Sequence, residues 1–166
     1  VSVHADAFPD KSAHGSSVYA LPECNPRSSP ASWHNCYGEA RYTDTFYYQG
    51  EWRFGKHDGS GSLYRKDSKY FGEFKNGEFH GNGTFRKLIG YQRWNVYEGE
   101  WKHGKRNGRG IQKYNSDMRG QGAEEEYVGE WRDDKKHGQG VFKDKRRKRW
   151  AGNWTNDMFV DEVAES

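Results

Sequence analysis

The sequence predicts an all-β chain: an elongated, single-layer antiparallel sheet of stacked β-hairpins with extended N- and C-terminal arms. Three observations predict it. A fourteen-residue block recurs along the chain with fixed internal spacing. Each block opens with rings and glycines alternating with polar residues. Each then carries an Asp-Gly, Asn-Gly or His-Gly pair of the kind that reverses a chain.

The blocks read YQGEWRFGKHDGSG (48–61), YFGEFKNGEFHGNG (70–83), YEGEWKHGKRNGRG (97–110) and YVGEWRDDKKHGQG (127–140). The defining residues are Tyr48, Gly50 and Trp52; Tyr70, Gly72 and Phe74; Tyr97, Gly99 and Trp101; and Tyr127, Gly129 and Trp131. WAGNWTND (150–157) starts a fifth copy and stops short. Upstream, HNCYGEARYTDTFYYQGEW looks like the back half of a worn copy, with Cys36 and Gly38 standing where Gly59 and Gly61 stand. Seventeen of the 21 glycines fall on this grid, so the repeat sets the composition.

Alternation decides strand against helix. In residues 48–52 ring, glycine and ring share one side and polar residues the other, a period of two that gives a strand with one buried face. Asp58-Gly59, and the matching His80-Gly81, Asn107-Gly108 and His137-Gly138, are the expected hairpin reversals, since both residue types tolerate positive φ. A lone hairpin is marginal in water. Stacked copies cover one another's ring faces, as in other repeat solenoids. Glycine lets a ring from a neighbouring strand lie flat on the backbone, and rings burying about 150–250 Å² each replace an aliphatic core. Glu51/Arg53, Glu73/Lys75, Glu100/Lys102 and Glu130/Arg132 are expected to form a solvated ladder of alternating charge on the other face. Two strands per copy at ~4.8 Å give a rod on the order of 50 Å. Short helix is expected at most around residues 118–126 or in the C-terminal tail.

These blocks resemble the MORN family (membrane occupation and recognition nexus), whose consensus is close to Y-x-G-x-W-x-x-G-x-x-x-G-x-G. The resemblance runs over residues 33–159 and implies a hairpin solenoid serving as scaffold, dimerisation module or complex subunit. Two departures stand out: Asp134 replaces the turn glycine of the fourth copy, and the links between copies grow from nine steps to fourteen to seventeen. The expected organisation is a Pro/Ser-rich arm over 1–32, a repeat domain over 33–159 and a tail over 160–166. The repeat domain divides into a half repeat (33–47), full repeats from 48, 70, 97 and 127, and the partial repeat 150–157.

With 22 Leu, Ile, Val and Phe residues the chain is poor in aliphatics, but 27 aromatics and a net charge of only +3 argue against disorder. No apolar run approaches the ~18 residues of a membrane span. Cys24 and Cys36 do not make a framework, and two free thiols are favoured over a disulfide. All four prolines lie in the first 30 residues, so the arm cannot bury itself alone. The sequence opens on Val1, which leaves open a trimmed chain or a removed leader. The second favours an organelle, with the mitochondrion ahead of a plastid and a flagellar or cytoskeletal assembly as the alternative. The first 20 residues carry Asp6 and Asp10 and no arginine, and do not themselves read as a transit peptide.

Catalytic, cofactor and metal sites are not expected. The repeated glutamates have basic partners, and His80 and His137 exchange with Asp58 and Asn107 at one repeat position, which is turn chemistry. The Gly-x-Gly pieces open no helix, so none is a phosphate loop. KDKRRKR is the exception to this bland picture: Lys143, Lys145, Arg146, Arg147, Lys148 and Arg149 form a candidate anionic-partner site, with Lys105, Arg106, Lys135 and Lys136 expected to extend it along one edge. Nucleic acid is not expected as partner, because the rings are committed to packing. The inserts at 86–95 and 114–125 break the period. Leu88, Ile89, Tyr91 and Trp94 form the most apolar of them and are the expected protein contact. The reading is a non-catalytic scaffold subunit of a multi-subunit assembly, a mitochondrial membrane complex being one setting. A peripheral module binding anionic phospholipids and an axonemal or cytoskeletal component are the alternatives.

Overall fold

The structure, a computed structural model, describes residues 20–160. The start of the N-terminal arm, residues 1–19, and the tail from 161 lie outside the described residues. The eleven strands form one open antiparallel sheet in strict chain order. They are β1 (Cys36–Thr43), β2 (Phe46–Arg53), β3 (Lys56–Arg65), β4 (Ser68–Lys75), β5 (Glu78–Gly90), β6 (Arg93–Lys102), β7 (Lys105–Ser116), β8 (Glu125–Arg132), β9 (Lys135–Lys143), β10 (Arg149–Thr155) and β11 (Met158–Val160). Pro30–Ser32 form a single 3-10 turn. The insert where short helix at most was expected makes turns and bends before β8. Asp117 explains this, because its Oδ1 accepts the N–H groups of Arg119 and Gln121 at 2.8 Å each and holds the chain in a tight loop.

The hairpins reverse four residues earlier than the Xaa-Gly pairs suggest. Phe54-Gly55 (φ +49° and +69°), Asn76-Gly77, His103-Gly104, Asp133-Asp134 and Asn156-Asp157 are two-residue turns with both φ positive. That geometry matches the twist of the flanking strands. The pairs Arg53–Lys56 and Lys75–Glu78 close directly over them. Gly59, Gly81, Gly108 and Gly138 do take positive φ, but inside the next strand, at a bulge. Their conformation was readable from the sequence; their place in the hairpin was not.

The bulge also explains the glutamates. The Glu73 carboxylate accepts the N–H of Asn82 at 2.9 Å, Glu100 that of Arg109 at 2.8 Å and Glu130 that of Gln139 at 3.3 Å. A bulge leaves amides without ladder partners, and the carboxylate supplies one. These side chains therefore serve the backbone of their own hairpin and do not form the expected charge ladder.

The core lies on one face of the sheet. Tyr48, Tyr70, Tyr97 and Tyr127 are at most 1% exposed. Each hydroxyl donates to the carbonyl three residues on, at 2.9 Å for Tyr48 to Glu51 and 3.0 Å for the other three. The ring crosses the facing glycine of the next strand: a Cβ at Gly61, Gly83, Gly110 or Gly140 would fall on the tyrosine hydroxyl. The tryptophans link the repeats. Nε1 of Trp52, Trp101, Trp131 and Trp154 donates to the carbonyl of Gly38, Gly83, Gly110 and Gly140 of the preceding unit, at 3.0–3.3 Å. Each repeat's Tyr meets the next repeat's Phe or Trp edge-on: Tyr48–Phe74, Tyr70–Trp101, Tyr97–Trp131 and Tyr127–Trp154, with centroids 5.0–5.5 Å apart. This geometry favours ring over ring beyond simple area burial.

The N-terminal end is closed by mimicry. Of the segment read as an arm, residues 22–24 run parallel to β1, with Cys24 N–H to Tyr37 O and Tyr37 N–H to Pro22 O both 2.8 Å. Trp33 meets Trp52 edge-on at 5.1 Å, and its carbonyl accepts the Gly55 N–H. Phe79 makes the same two contacts, to Trp101 and Gly104, inside the solenoid. Cys36 pairs with Trp52 and Gly38 with Gly50, as Gly81 pairs with Trp101 and Gly83 with Gly99, so the worn half repeat keeps the register of a full one.

Cys24 and Cys36 are joined in a disulfide, correcting the expectation of free thiols. The parallel pairing carries Cys24 over Gly38, where any added Cβ would lie 2.9 Å from the Cys24 Cβ. Sequence spacing could not reveal this, because the pairing occurs once and outside the repeat.

Gly110→Ala is expected to lower unfolding free energy by about 1–3 kcal/mol, as overpacking does. Gly90→Ala, with nothing within 4 Å of an added Cβ, should stay within about 0.5 kcal/mol; paired urea titrations decide. Cys36→Ser, or reductant on the unaltered chain, should remove about 2–3 kcal/mol by releasing a chain closure of 12 residues.

Candidate interaction surfaces

Strand register sorts the side chains into rows that run across the strands. On the core face one row was not expected. It follows each hairpin turn by two residues: His57, Phe79, Arg106 and Lys136. The His57 ring stacks on Tyr48 at 3.7 Å and Phe79 on Tyr70 at 3.8 Å. The Arg106 guanidinium lies 4.2 Å from the Trp131 centroid, and Lys136 Nζ lies 4.5 Å from Phe142 and 4.8 Å from Trp154. An imidazole, a phenyl, a guanidinium and an ammonium share no composition, only the ability to lie on a ring, so matching blocks by residue identity hides the row.

Burial shifts the titration of two members of this row and of a tyrosine beneath it. It holds the His57 imidazole down to about 4, pushes the Tyr127 hydroxyl up to about 12 and lowers the Lys136 ammonium. Asp134 is reconciled here too. Its Oδ1 accepts the backbone N–H of Arg106 at 2.9 Å and Nε at 3.2 Å, which offsets losing glycine from a turn position.

The two long edges of the sheet differ. The turns within repeats form one edge. The connections between repeats form the other, at 44–45, 66–67, 91–92, 117–124 and 144–148. Lys143, the 145–148 loop and Arg149 lie on the second edge, and Lys145, Arg146, Arg147, Lys148 and Arg149 are exposed. Asp144 shapes the loop: its Oδ1 accepts the N–H of Arg146 at 2.9 Å and of Lys148 at 2.8 Å, as Asp117 does in its own loop. Lys105, Arg106, Lys135 and Lys136 stand on the first edge. They do not extend the basic run, because β9 carries Lys135 at one end and Lys143 at the other, some 27 Å apart at ~3.4 Å per residue.

Leu88, Ile89, Tyr91 and Trp94 fall on a longer hairpin at that same second edge. Leu88 pairs with Trp94 across it and Gly90 with Arg93. Tyr91 at the tip is 90% exposed and Ile89 is 46% exposed, whereas Leu88 and Trp94 are half-buried. On the face away from the core, Arg41, Tyr47, Tyr64, Phe71 and Arg86 make a line of stacked groups. Arg41 sits 4.7 Å from the Tyr47 centroid, Tyr47 stacks on Tyr64 at 4.4 Å, Tyr64 meets Phe71 at 5.6 Å and Arg86 lies 5.5 Å from Phe71.

A family model for the MORN repeat matches residues 48–68, 70–87, 97–119 and 127–145. The chain is a MORN-repeat protein. The four matches begin at the four tyrosines that sit over glycine, so the family pattern and the packing unit coincide. MORN repeats are a non-enzymatic module for protein or membrane interaction. The half repeat before residue 48 and the strands after Arg149 lie outside the matched stretches, yet continue the same sheet. Among the described residues no helix is long and apolar enough to cross a membrane, and no three His, Cys, Asp or Glu side chains form a group that could hold a metal.

His57→Phe, copying Phe79, tests the stacked row. An unfolded histidine binds its proton near 6.5, while the stacked one does so only at about 4. The stability it contributes is therefore present above 6.5 and falls as pH drops towards 4. The expected outcome is a smaller loss of melting temperature between those pH values in the variant than in the unaltered protein.

Proposed function

We propose that this chain is a non-catalytic scaffold subunit that holds neighbouring proteins in a larger assembly. The observation that carries the reading is the hairpin at 88–94. The repeat needs only short links, yet this one projects from the edge of the sheet with Tyr91 almost fully exposed and Ile89 half-exposed. Exposed aromatic and aliphatic groups at a tip of this kind suit a protein interface. The solenoid behind it is a rigid support whose rings are spent on one another.

A second reading is favoured by a separate observation. The exposed Lys145, Arg146, Arg147 and Lys148 form a cationic loop of the sort that anionic lipid attracts. The setting we propose is an organellar complex, with the mitochondrion first and a flagellar or cytoskeletal assembly second. The Cys24–Cys36 bond favours a compartment where disulfides persist over the cytosol.

A photo-crosslinking amino acid at position 91, introduced into the chain in its native cells, tests the scaffold reading. Discrete protein adducts that disappear when Ile89→Asp is added support it. Adducts to lipid only, or none, overturn it.

A further inference from the structure

We propose that the C-terminal half of the sheet face opposite the core is a docking strip for a short polypeptide segment, acidic along one side and apolar along the other. The inference rests on the scaffold reading and narrows it to one surface and one partner chemistry.

The strip is defined by register. Ile111, Val128, Val141 and Ala151 are direct cross-strand neighbours on β7, β8, β9 and β10. They alternate with Gln112, Tyr127, Phe142 and Trp150, so they point away from the ring ladder. Val128 is 42% exposed, Ala151 is exposed, and Ile111 and Val141 are half-buried. Four adjacent strands give an apolar row ~14 Å long. Next to it is a depression of about 380 Å³, walled by Glu98, Arg109, Ile111, Val128, Glu130 and Gln139. Its floor is the backbone of Gly99, Gly110 and Gly129. The glycines that make room for tyrosine on one face thus leave a trough on the other.

Charge across the strip is polarised. Two residues from the apolar row, towards the edge of inter-repeat links, stand Lys113, Glu126, Lys143 and Arg149. Exposed Lys145, Arg146, Arg147 and Lys148 extend that side, and Asp144 there is turned to the loop's own N–H groups. Across the trough the carboxylates of Glu100 and Glu130 flank Arg109, and both accept backbone N–H groups. A segment with apolar side chains in the row is therefore attracted on one flank only, which fixes how it lies.

The same features disfavour other occupants. Ile, Val and Ala side chains flanked by longer Lys, Glu and Arg are kept from a bilayer interior, but they can receive side chains from above. Base stacking needs open ring faces, and on this face Tyr47 stacks on Tyr64, Tyr64 meets Phe71 edge-on, and Arg41 and Arg86 lie over Tyr47 and Phe71.

The probe is a fluorescein-labelled dodecapeptide alternating Glu with Leu, which in extended form puts its acids and its apolar groups on opposite sides. Fluorescence polarisation with the full chain should show saturable, salt-sensitive binding. Both Lys143→Glu with Arg149→Glu and Val128→Ser with Val141→Ser should weaken it by about tenfold or more, with unchanged melting confirming the fold. Arg53→Glu with Lys75→Glu, at the far edge, should leave it unchanged. The proposal is overturned if the peptide does not bind. It is equally overturned if a Glu/Ser peptide, poly(U) or phosphatidylserine vesicles bind as tightly. Crosslinking from position 91 reads a different surface, so the scaffold reading stands or falls independently of this result.

Discussion

A tyrosine ring lying on bare glycine backbone is the contact on which the rest of this sheet depends. It occurs at Tyr48 over Gly61, Tyr70 over Gly83, Tyr97 over Gly110 and Tyr127 over Gly140. With the ring that close, the hydroxyl reaches the carbonyl three residues on, and the next repeat's Trp or Phe meets the ring at a right angle. The tryptophan N–H then finds a glycine carbonyl in the repeat before it. One steric vacancy thus organises a ring ladder, buries the polar ends of the rings with partners and sets the spacing of the hairpins. The second repeat keeps the ladder with Phe74 and gives up only the N–H bond.

The bulge is the second constraint, and it ties both faces together. A glycine in the left-handed region lets the glutamate of the preceding strand fold onto the bulge amides. The same local widening brings His57, Phe79, Arg106 or Lys136 over the tyrosine. The glutamate on one face and the stacked group on the other are therefore consequences of one irregularity in each hairpin. This is why the glutamate recurs while its supposed basic partner makes no ion pair with it among the described residues.

Most of the fold was legible because period two, ring and glycine repeat with one spacing. Even the worn copy at Cys36 and Gly38 was readable from where those residues stand. What escaped the sequence was whatever depends on register between strands. Asp58-Gly59 looks like a reversal because positive φ has the same signature in a turn and in a bulge; only the pairing of Trp52 with His57 separates them. The Cys24–Cys36 bond needs a parallel bridge that no repeat announces. The candidate sites divide the same way. The 88–94 hairpin stood out as an interruption of the period, and the 143–149 run by its charge. The Ile111, Val128, Val141 and Ala151 row did not, since links of unequal length hide which residues face one another. Lys105 and Lys135 seemed to join the basic run because sequence proximity does not tell one end of a strand from the other.

Strict chain order of the strands, β1 to β11, has a consequence for how the molecule comes into being. Every pairing joins segments that are neighbours in the chain, so no distant ends must find each other and the entropy of closing long loops is never met in full. The disulfide-fastened end contains its own substitute for a missing neighbour. A nascent chain can therefore complete that end first and add each later hairpin onto a finished surface, like a zip drawn from its anchored stop while the remainder is still being made.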